Sequence, residues 1–351
     1  MKRFMLIQLC LLLATLLLWA QSDDQTYFVM SYNVENLFDT QDDSLFNDTE
    51  YLPGNLRGWS YKRYQQKLFN ISKVIATSCG WNPPILVGLC EIENRHVLND
   101  LTRHAPLKNL DYHIIHYESP DARGVDVALL YRHHLFTPIC SRPIAVHFTA
   151  TPTQHTRDIL YVCGILPAGD TIHIFVNHFP SRLGGELESE NRRIDAARVL
   201  RHAVDSVQAT NQQAKILIMG DFNDYPDNKS ILHVLQAEPF YTDTKPQTAH
   251  LYNLCYAIHE KGQEGSYKHD GVWGMLDQFI VSGAFLTPGN GTMVDGNSLR
   301  IYSPEWLLEP DKIVGYKPFR TYIGYRFNNG FSDHLPIVVQ LIVNATTENQ
   351  K

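Results

Sequence analysis

The stretch "KILIMGDFNDYP" (215–226) runs an apolar segment into a glycine and then sets Asp221, Asn223 and Asp224 close together. Other segments repeat the arrangement, a short apolar run meeting a polar side chain that a core would not select. "SYNVENLFD" brings Asn33, "VGLCEIEN" brings Glu91, and "NHFPSR" brings His178. "LDQFIVS" brings Asp277, and "SDHLPIVV" brings Asp333 and His334. Each has a plain structural account when taken alone. Asn33 suits a turn, Asp221 and Asn223 an Asx-turn, and Glu91 the positive end of a helix. Together they call for chemistry. Glu91 and Asp333 are hard oxygen donors and Asn33 offers a carbonyl oxygen. That suits Mg²⁺ or Mn²⁺, ions that keep several waters and accept phosphate oxygens. The two histidines are far apart and sit in no HExxH or CxxC setting, which disfavours zinc. A histidine beside a carboxylate suits proton transfer, the carboxylate fixing the tautomer and supporting the imidazolium. Metal-assisted hydrolysis of a phosphate ester uses this combination.

Other residues stand close to these motifs. Asp126, in "RGVDVALLY", either pairs with His178 or is a solvated strand start. Arg123, Ser181 and Arg182 can hold phosphate through charge-assisted hydrogen bonds. Glu35 and Glu93 flank the site motifs, and Asp224 reads as a turn residue or a support for the residues beside it.

The elements that must position them alternate between strand and helix. Strand-like runs are "YFVMSYN" (27–33), "ILVGLC" (85–90), "DVALLYR" (126–132), "ILYVCGIL" (159–166), "IHIFVN" (172–177), "KILIMG" (215–220), "QFIVS" (278–282) and "PIVVQLIV" (336–343). They are short, β-branched and bounded by turn formers. Two segments have helical spacing: Tyr64, Leu68, Ile71 and Ile75 in one, Ile194, Ala197, Leu200 and Val204 in the other. So many strands predict two sheets packed face to face with helices outside, an α/β fold. Residues 240–275 and 285–330 read as long loops of one domain spanning 21–351. Trp306, Leu307, Leu308, Tyr316, Phe319 and Tyr322 lie in the second loop, where they either pack on the core or meet a membrane.

The chain of 351 residues is 44% hydrophobic and 19% charged, enough to bury a large core. Residues 1–20 have a basic start, an apolar middle and a small residue at the end, the pattern of a secretory signal peptide. Export to the periplasm or the medium follows from that reading, with no transmembrane segment left after cleavage. Losing Lys2 and Arg3 takes the formal charge from −7 to −9, so contact with phosphate must be local or carried by a metal. Cys79, Cys90, Cys140, Cys163 and Cys255 remain, too few and too scattered for a disulfide framework.

In their order, "SYNVENLF", "VGLCEIEN", "NHFPSR", "IMGDFNDYP", "LDQFIVS" and "SDHLPIVV" resemble the endonuclease/exonuclease/phosphatase superfamily over residues 26–343. That group includes pancreatic deoxyribonuclease, apurinic/apyrimidinic exonucleases, inositol-polyphosphate 5-phosphatases and bacterial sphingomyelinases. The resemblance implies a four-layer α-β-β-α sandwich of two mixed β-sheets flanked by helices, in a secreted bacterial-type member. It implies that Glu91 is the principal ligand of Mg²⁺ or Mn²⁺, with Asn33 and Asp333 completing or supporting the site. It gives His334, oriented by Asp277, the scissile phosphate and, in one reading of the family, the role of base. It gives Asp221 the attacking water, Asn223 a phosphate oxygen, and His178 the phosphate or leaving group. The substrate is then a phosphoester: DNA or RNA for a nuclease-type phosphodiesterase, or a small or lipid phosphoester for a phosphatase or sphingomyelinase-like enzyme. No stable protein partner is implied. A non-catalytic binding module on this fold is the third reading. It would be expected to have lost Glu91, Asp221 or His334, and all three are present.

Overall fold

The structure, a computed structural model, describes residues 25–289 and 291–344. The expected signal segment, 1–20, lies outside the described residues. The strands of the two main sheets are, in chain order, β1 (Gln25–Leu37), β2 (Leu86–Ile92), β3 (Tyr112–His116), β4 (Asp126–Arg132), β5 (Thr137–Ile144), β6 (Ile159–Ile165) and β7 (Thr171–His178). They continue with β8 (Lys215–Asp221), β9 (Ala237–Pro239), β10 (Leu251–Asn253), β11 (Asp277–Ser282), β12 (Gly291–Ile301) and β13 (Ile337–Asn344). One sheet has the order β12-β13-β1-β2-β4-β3, the other β5-β6-β7-β8-β11-β10-β9. Both are mixed: β1/β2, β7/β8 and β9/β10 run parallel, and the other pairs antiparallel.

Alternation along the strands sets the layers, because successive side chains point to opposite faces. In β1, Val29 faces the second sheet while Met30 and Tyr32 face outward. In β8, Leu217 and Met219 face the first sheet while Ile216 and Ile218 face outward. Both faces of each sheet are apolar, so both must be covered. Helices α1 (Tyr61–Thr77) and α2 (Arg95–Arg103) cover the first sheet. Tyr64, Leu68, Ile71, Ile75, Val97, Leu98 and Leu101 supply their apolar sides. Helix α3 (Glu186–Thr210) covers the second sheet with Ala197, Leu200 and Val204. The result is a four-layer α-β-β-α sandwich, as expected.

The long segments expected to be loops hold more structure than that. Residues 240–275 contain β10 and a hairpin of Tyr267–His269 with Val272–Gly274. Residues 285–330 contain β12 and hairpins at 308–318 and 322–327. β12 was hidden because it lies at a sheet edge, its register shifts between Asp295 and Arg300, and it carries few apolar residues. β5 was hidden for a related reason. It is an exposed edge strand with Pro138 and Pro143, where a missing N–H costs little. In the second segment Leu307 and Tyr322 are buried, and Trp306, Leu308 and Phe319 pack on the same core. Tyr316 stays exposed. The five described cysteines are free, and Cys140 faces Cys163 across β5 and β6. No helix among the described residues is long and apolar enough to cross a membrane.

Candidate active site

Direction and register gather the polar residues at one edge of the sandwich. The parallel strands β1 and β2 end there, as do β7 and β8, while the antiparallel β11 and β13 begin there. Asp221 lies opposite His178 across β7/β8 and opposite Asp277 across β8/β11. Asp221 has the same parity as Leu217 and Met219, so it continues the inward face of its strand into the gap between the sheets.

The two sheets meet through Asn33. Its Nδ2 donates to Asp221 Oδ2 at 3.0 Å and lies 3.4 Å from Glu91 Oε1. Its Oδ1 accepts from the Glu35 N–H at 3.0 Å, and its amide nitrogen ties the two carboxylates together. Glu91 is turned toward them by an irregular backbone. It sits at φ 65° beside a register shift between Cys90 and Ile92, and its Oε2 accepts from the Asn36 N–H at 2.9 Å. Glu35, Asn36 and Asn223 also have positive φ, at 53°, 56° and 50°. Such conformations cost energy in non-glycine residues and collect at functional sites.

Two imidazoles flank Asp221. His334 Nδ1–H donates to Asp277 Oδ2 at 2.6 Å, and its Nε2 lies 3.8 Å from Asp221 Oδ2. His178 Nε2 lies 3.8 Å from that same oxygen and 3.9 Å from Glu91 Oε1. The two histidines titrate in opposite directions. Burial opposes the charge on His334, but Asp277 and Asp221 outweigh it and hold the imidazolium well above its ordinary range. Burial pushes His178 well below that range, with Arg157 and Arg123 adding to it. Burial also lifts the Asp221 carboxyl to about 6, against the pull of His334. Opposed pairs of this kind mark acid and base roles.

A further tier holds the carboxylates. Arg320 Nη2 donates to Asp333 Oδ2 at 2.8 Å, and its Nε lies 3.5 Å from Glu35 Oε1. Glu35, buried, is lifted to about 7 by burial and then by Asp333. Buried Lys67 of α1 donates to Thr321 Oγ1 and, at 2.6 Å, to the Phe331 carbonyl. Burial lowers it to about 8 against the carboxylates nearby. Glu35, Glu91, Asp221, Asp277 and Asp333 thus outnumber the cations set against them. Their oxygens are the donor type that a hard divalent cation takes. Among the described residues, the group of potential ligand atoms that come within 4.8 Å of one another lies one strand further out, at His116, Glu118 and Asp126, rather than at Glu91 and Asp333. Among the described residues the chain therefore has donors for a divalent metal.

Several expected placements differ. Asp126 does not reach His178. It accepts from His116 Nε2 at 3.1 Å, from the Ser119 N–H at 2.9 Å and from the Ser119 hydroxyl, while His178 Nδ1 is buried without a partner. Sequence reasoning had no means to find His116, which lies in an unrecognised edge strand. Arg182 was expected on phosphate, but its guanidinium holds the neighbouring loop. It reaches the Asn223 carbonyl at 2.7 Å, Asn228 Oδ1 at 2.9 Å and Glu186 at 3.0 Å, and stacks over Tyr225. Asn223 donates its amide to the Phe179 carbonyl at 3.0 Å, and its N–H to Asp221 Oδ1 at 2.8 Å. Ser181 and Arg123 are exposed and line a pocket beyond His178, a placement open to an anion. Asp224 is buried and pairs with Arg193 at 2.6 Å. Lys67, Arg157 and Arg320 were missed. Single basic residues outside the motifs carry no local signal, and only tertiary packing brings them to the site.

Comparison with known families matches residues 28–343 to the Endonuclease/Exonuclease/phosphatase family. No curated protein matches the chain. Among solved structures, an endonuclease/exonuclease/phosphatase family protein from Bacteroides thetaiotaomicron aligns with a TM-score of 0.56 at 14% identity, covering 93% of this chain and 98% of that one. A mannosyl-6-phosphatase from the same organism gives 0.55 at 15% identity, covering 90% and 99%. D. rerio TDP2, solved with a single-strand DNA product, gives 0.54 at 14% identity, covering 91% and 99%. These likenesses show the fold. With the family match over almost the whole described chain and a His116, Glu118 and Asp126 donor group for a cation, the protein belongs to the endonuclease/exonuclease/phosphatase family and is a metal-dependent phosphoester hydrolase.

Proposed function

We propose that the protein is an exported phosphodiesterase of nuclease type, using Mg²⁺ or Mn²⁺. The observation that carries the reaction is Asp221 Oδ2 lying 3.8 Å from both His334 Nε2 and His178 Nε2, one imidazole charged and the other neutral. Asp221 orients the attacking water and takes up its proton. His334, held by Asp277, presents Nε2–H to a phosphate oxygen where charge develops. Neutral His178 faces the leaving-group side. A divalent cation on Glu91 and Asp333 would neutralise phosphate charge and polarise the phosphoryl oxygen. An anionic substrate is supported by a cavity of about 250 Å³ beside Asp333, where Lys312, Lys317 and Arg320 stand with Asp270 and the Lys268–Asp311 pair.

One observation favours a second reading, a lipid phosphoester. Val272, Ile313, Val314 and Tyr316 are exposed near that cavity. Plasmid DNA, RNA, bis-p-nitrophenyl phosphate and sphingomyelin vesicles, each with Mg²⁺, Mn²⁺ or EDTA, separate the readings. Nuclease action predicts metal-dependent cleavage of a nucleic acid. Cleavage confined to vesicles moves the assignment to lipid. Export rests on residues 1–20 alone, and predicts a mature N-terminus at Gln21 by terminal sequencing, whereas retention of Met1 contradicts it.

A further inference from the structure

The side of the site beyond His178 carries a second pocket. It opens between the β3–β4 loop, the loop before β6, the turn after β7 and the start of α3, with a cavity of about 130 Å³. Arg123, Arg157 and Arg192 line it, with His155 and Ser181, against one acid, Asp121. That acid is already engaged. It accepts from Arg157 Nη1 at 3.0 Å and from the Arg123 N–H at 3.0 Å.

The arginines are under-partnered. Arg157 is only 6% exposed, its Nη2 donates to the Phe179 carbonyl at 2.7 Å, and its buried Nε has no partner. Arg123 Nε stands 3.7 Å from Asp121, and Arg192 Nη2 reaches the Leu183 carbonyl only at 3.4 Å. A buried guanidinium with incomplete pairing is costly, and guanidinium forks match phosphate oxygens. The pocket also joins the catalytic edge. Phe179 follows His178 directly, and its carbonyl takes both Arg157 Nη2 and Asn223 Nδ2.

We propose that this pocket binds a second phosphate of the substrate, next to the scissile one, so that the preferred substrate carries at least two phosphate groups. The proposal rests on the hydrolase reading above. The second phosphate comes either from a neighbouring nucleotide or from a bisphosphorylated small molecule.

Arg123→Gln with Arg192→Gln tests it, since neither side chain is buried in the fold. The substrates are thymidylyl-thymidine, the same dinucleotide with a 5′- or 3′-terminal phosphate, fructose 6-phosphate and fructose 1,6-bisphosphate. Wild-type kcat/KM should rise about tenfold or more with the second phosphate, and the double variant should bring the ratio near one. A gain in the dinucleotide arm names the nucleotide source, and a gain in the sugar arm the small molecule. A wild-type ratio near one, or a ratio the double variant leaves intact, overturns the proposal. Titration of inorganic pyrophosphate in EDTA reads the pocket without catalysis. Binding should weaken about tenfold or more in the double variant and persist in His334→Ala. No binding, or binding indifferent to the arginines, also overturns it. Arginine-dependent pyrophosphate binding with no hydrolysis of any substrate would instead remove the hydrolase reading and leave the pocket.

Discussion

At the scale of single residues, the proposed reaction sets two histidines on either side of one carboxylate. His334 keeps its proton because Asp277 and Asp221 face it, and His178 loses its own because it is buried beside arginines. Asp277→Asn removes the charge that supports the imidazolium, and kcat should fall by roughly two orders of magnitude or more. The same change has a stability signature. The folded pKa of His334 is raised above its unfolded value near 6.5, so its contribution is full below about 6.5 and is lost as pH rises through the folded value. Wild type should therefore out-melt Asp277→Asn by more at pH 6 than at pH 10 in scanning calorimetry. A gap that stays constant with pH would mean that the pair does not titrate as described. The sequence carried these residues well, since Asp277, His334, Asp221 and Glu91 each sit where an apolar run breaks. It misled on Asp126, whose partner His116 lies in another strand, and on Arg182, whose neighbours are set by a loop that no local pattern encodes.

At the scale of elements, the close approach of β7 and β8 positions Asp221. Gly220 has φ 136°, and a Cβ there would fall 1.9 Å from the Asn177 carbonyl oxygen. Gly220→Ala forces the two strands apart one residue before Asp221. It should cost about 1–3 kcal/mol of stability or more and lower activity sharply, read together by melting and by cleavage rate. Near-normal activity in a folded variant would show that this spacing is not what holds Asp221. The inner strands were legible because both of their faces are buried and they read as continuous apolar runs, and the two amphipathic helices because their one buried side recurs at helical spacing. β5 and β12 were not, since edge strands keep one side in water, admit proline and shift register. The hairpins at 308–318 and 322–327 are too short for periodicity to register.

At the scale of the molecule, the sandwich closes over a surplus of buried carboxylates, and that surplus sets its response to pH. Glu93 is 5% exposed, and burial lifts it to about 8 even though it accepts the Asp39 N–H. Its unfolded value lies near 4.3, so between about 4.3 and 8 the folded chain binds more protons than the unfolded one. Stability then falls as pH rises through that window. Glu93→Gln cannot titrate and should melt higher than wild type at pH 9, with little gain at pH 5; an equal shift at both would contradict the linkage. The two-sheet architecture and the order of the motifs were plain from the sequence, because the site motifs are spread along nearly the whole chain and each marks a strand end. The counter-charges Lys67, Arg157 and Arg320 were not, because they arrive from a helix and two loops. The account turns on metal-dependent phosphoester cleavage through His334. The first measurement is therefore the hydrolysis rate of bis-p-nitrophenyl phosphate by wild type and His334→Ala, each with Mg²⁺ and with EDTA. Cleavage seen only in wild type with metal, and at least about 10²-fold slower in the variant, is the predicted result. Cleavage that survives EDTA, or that survives the loss of His334, would contradict it.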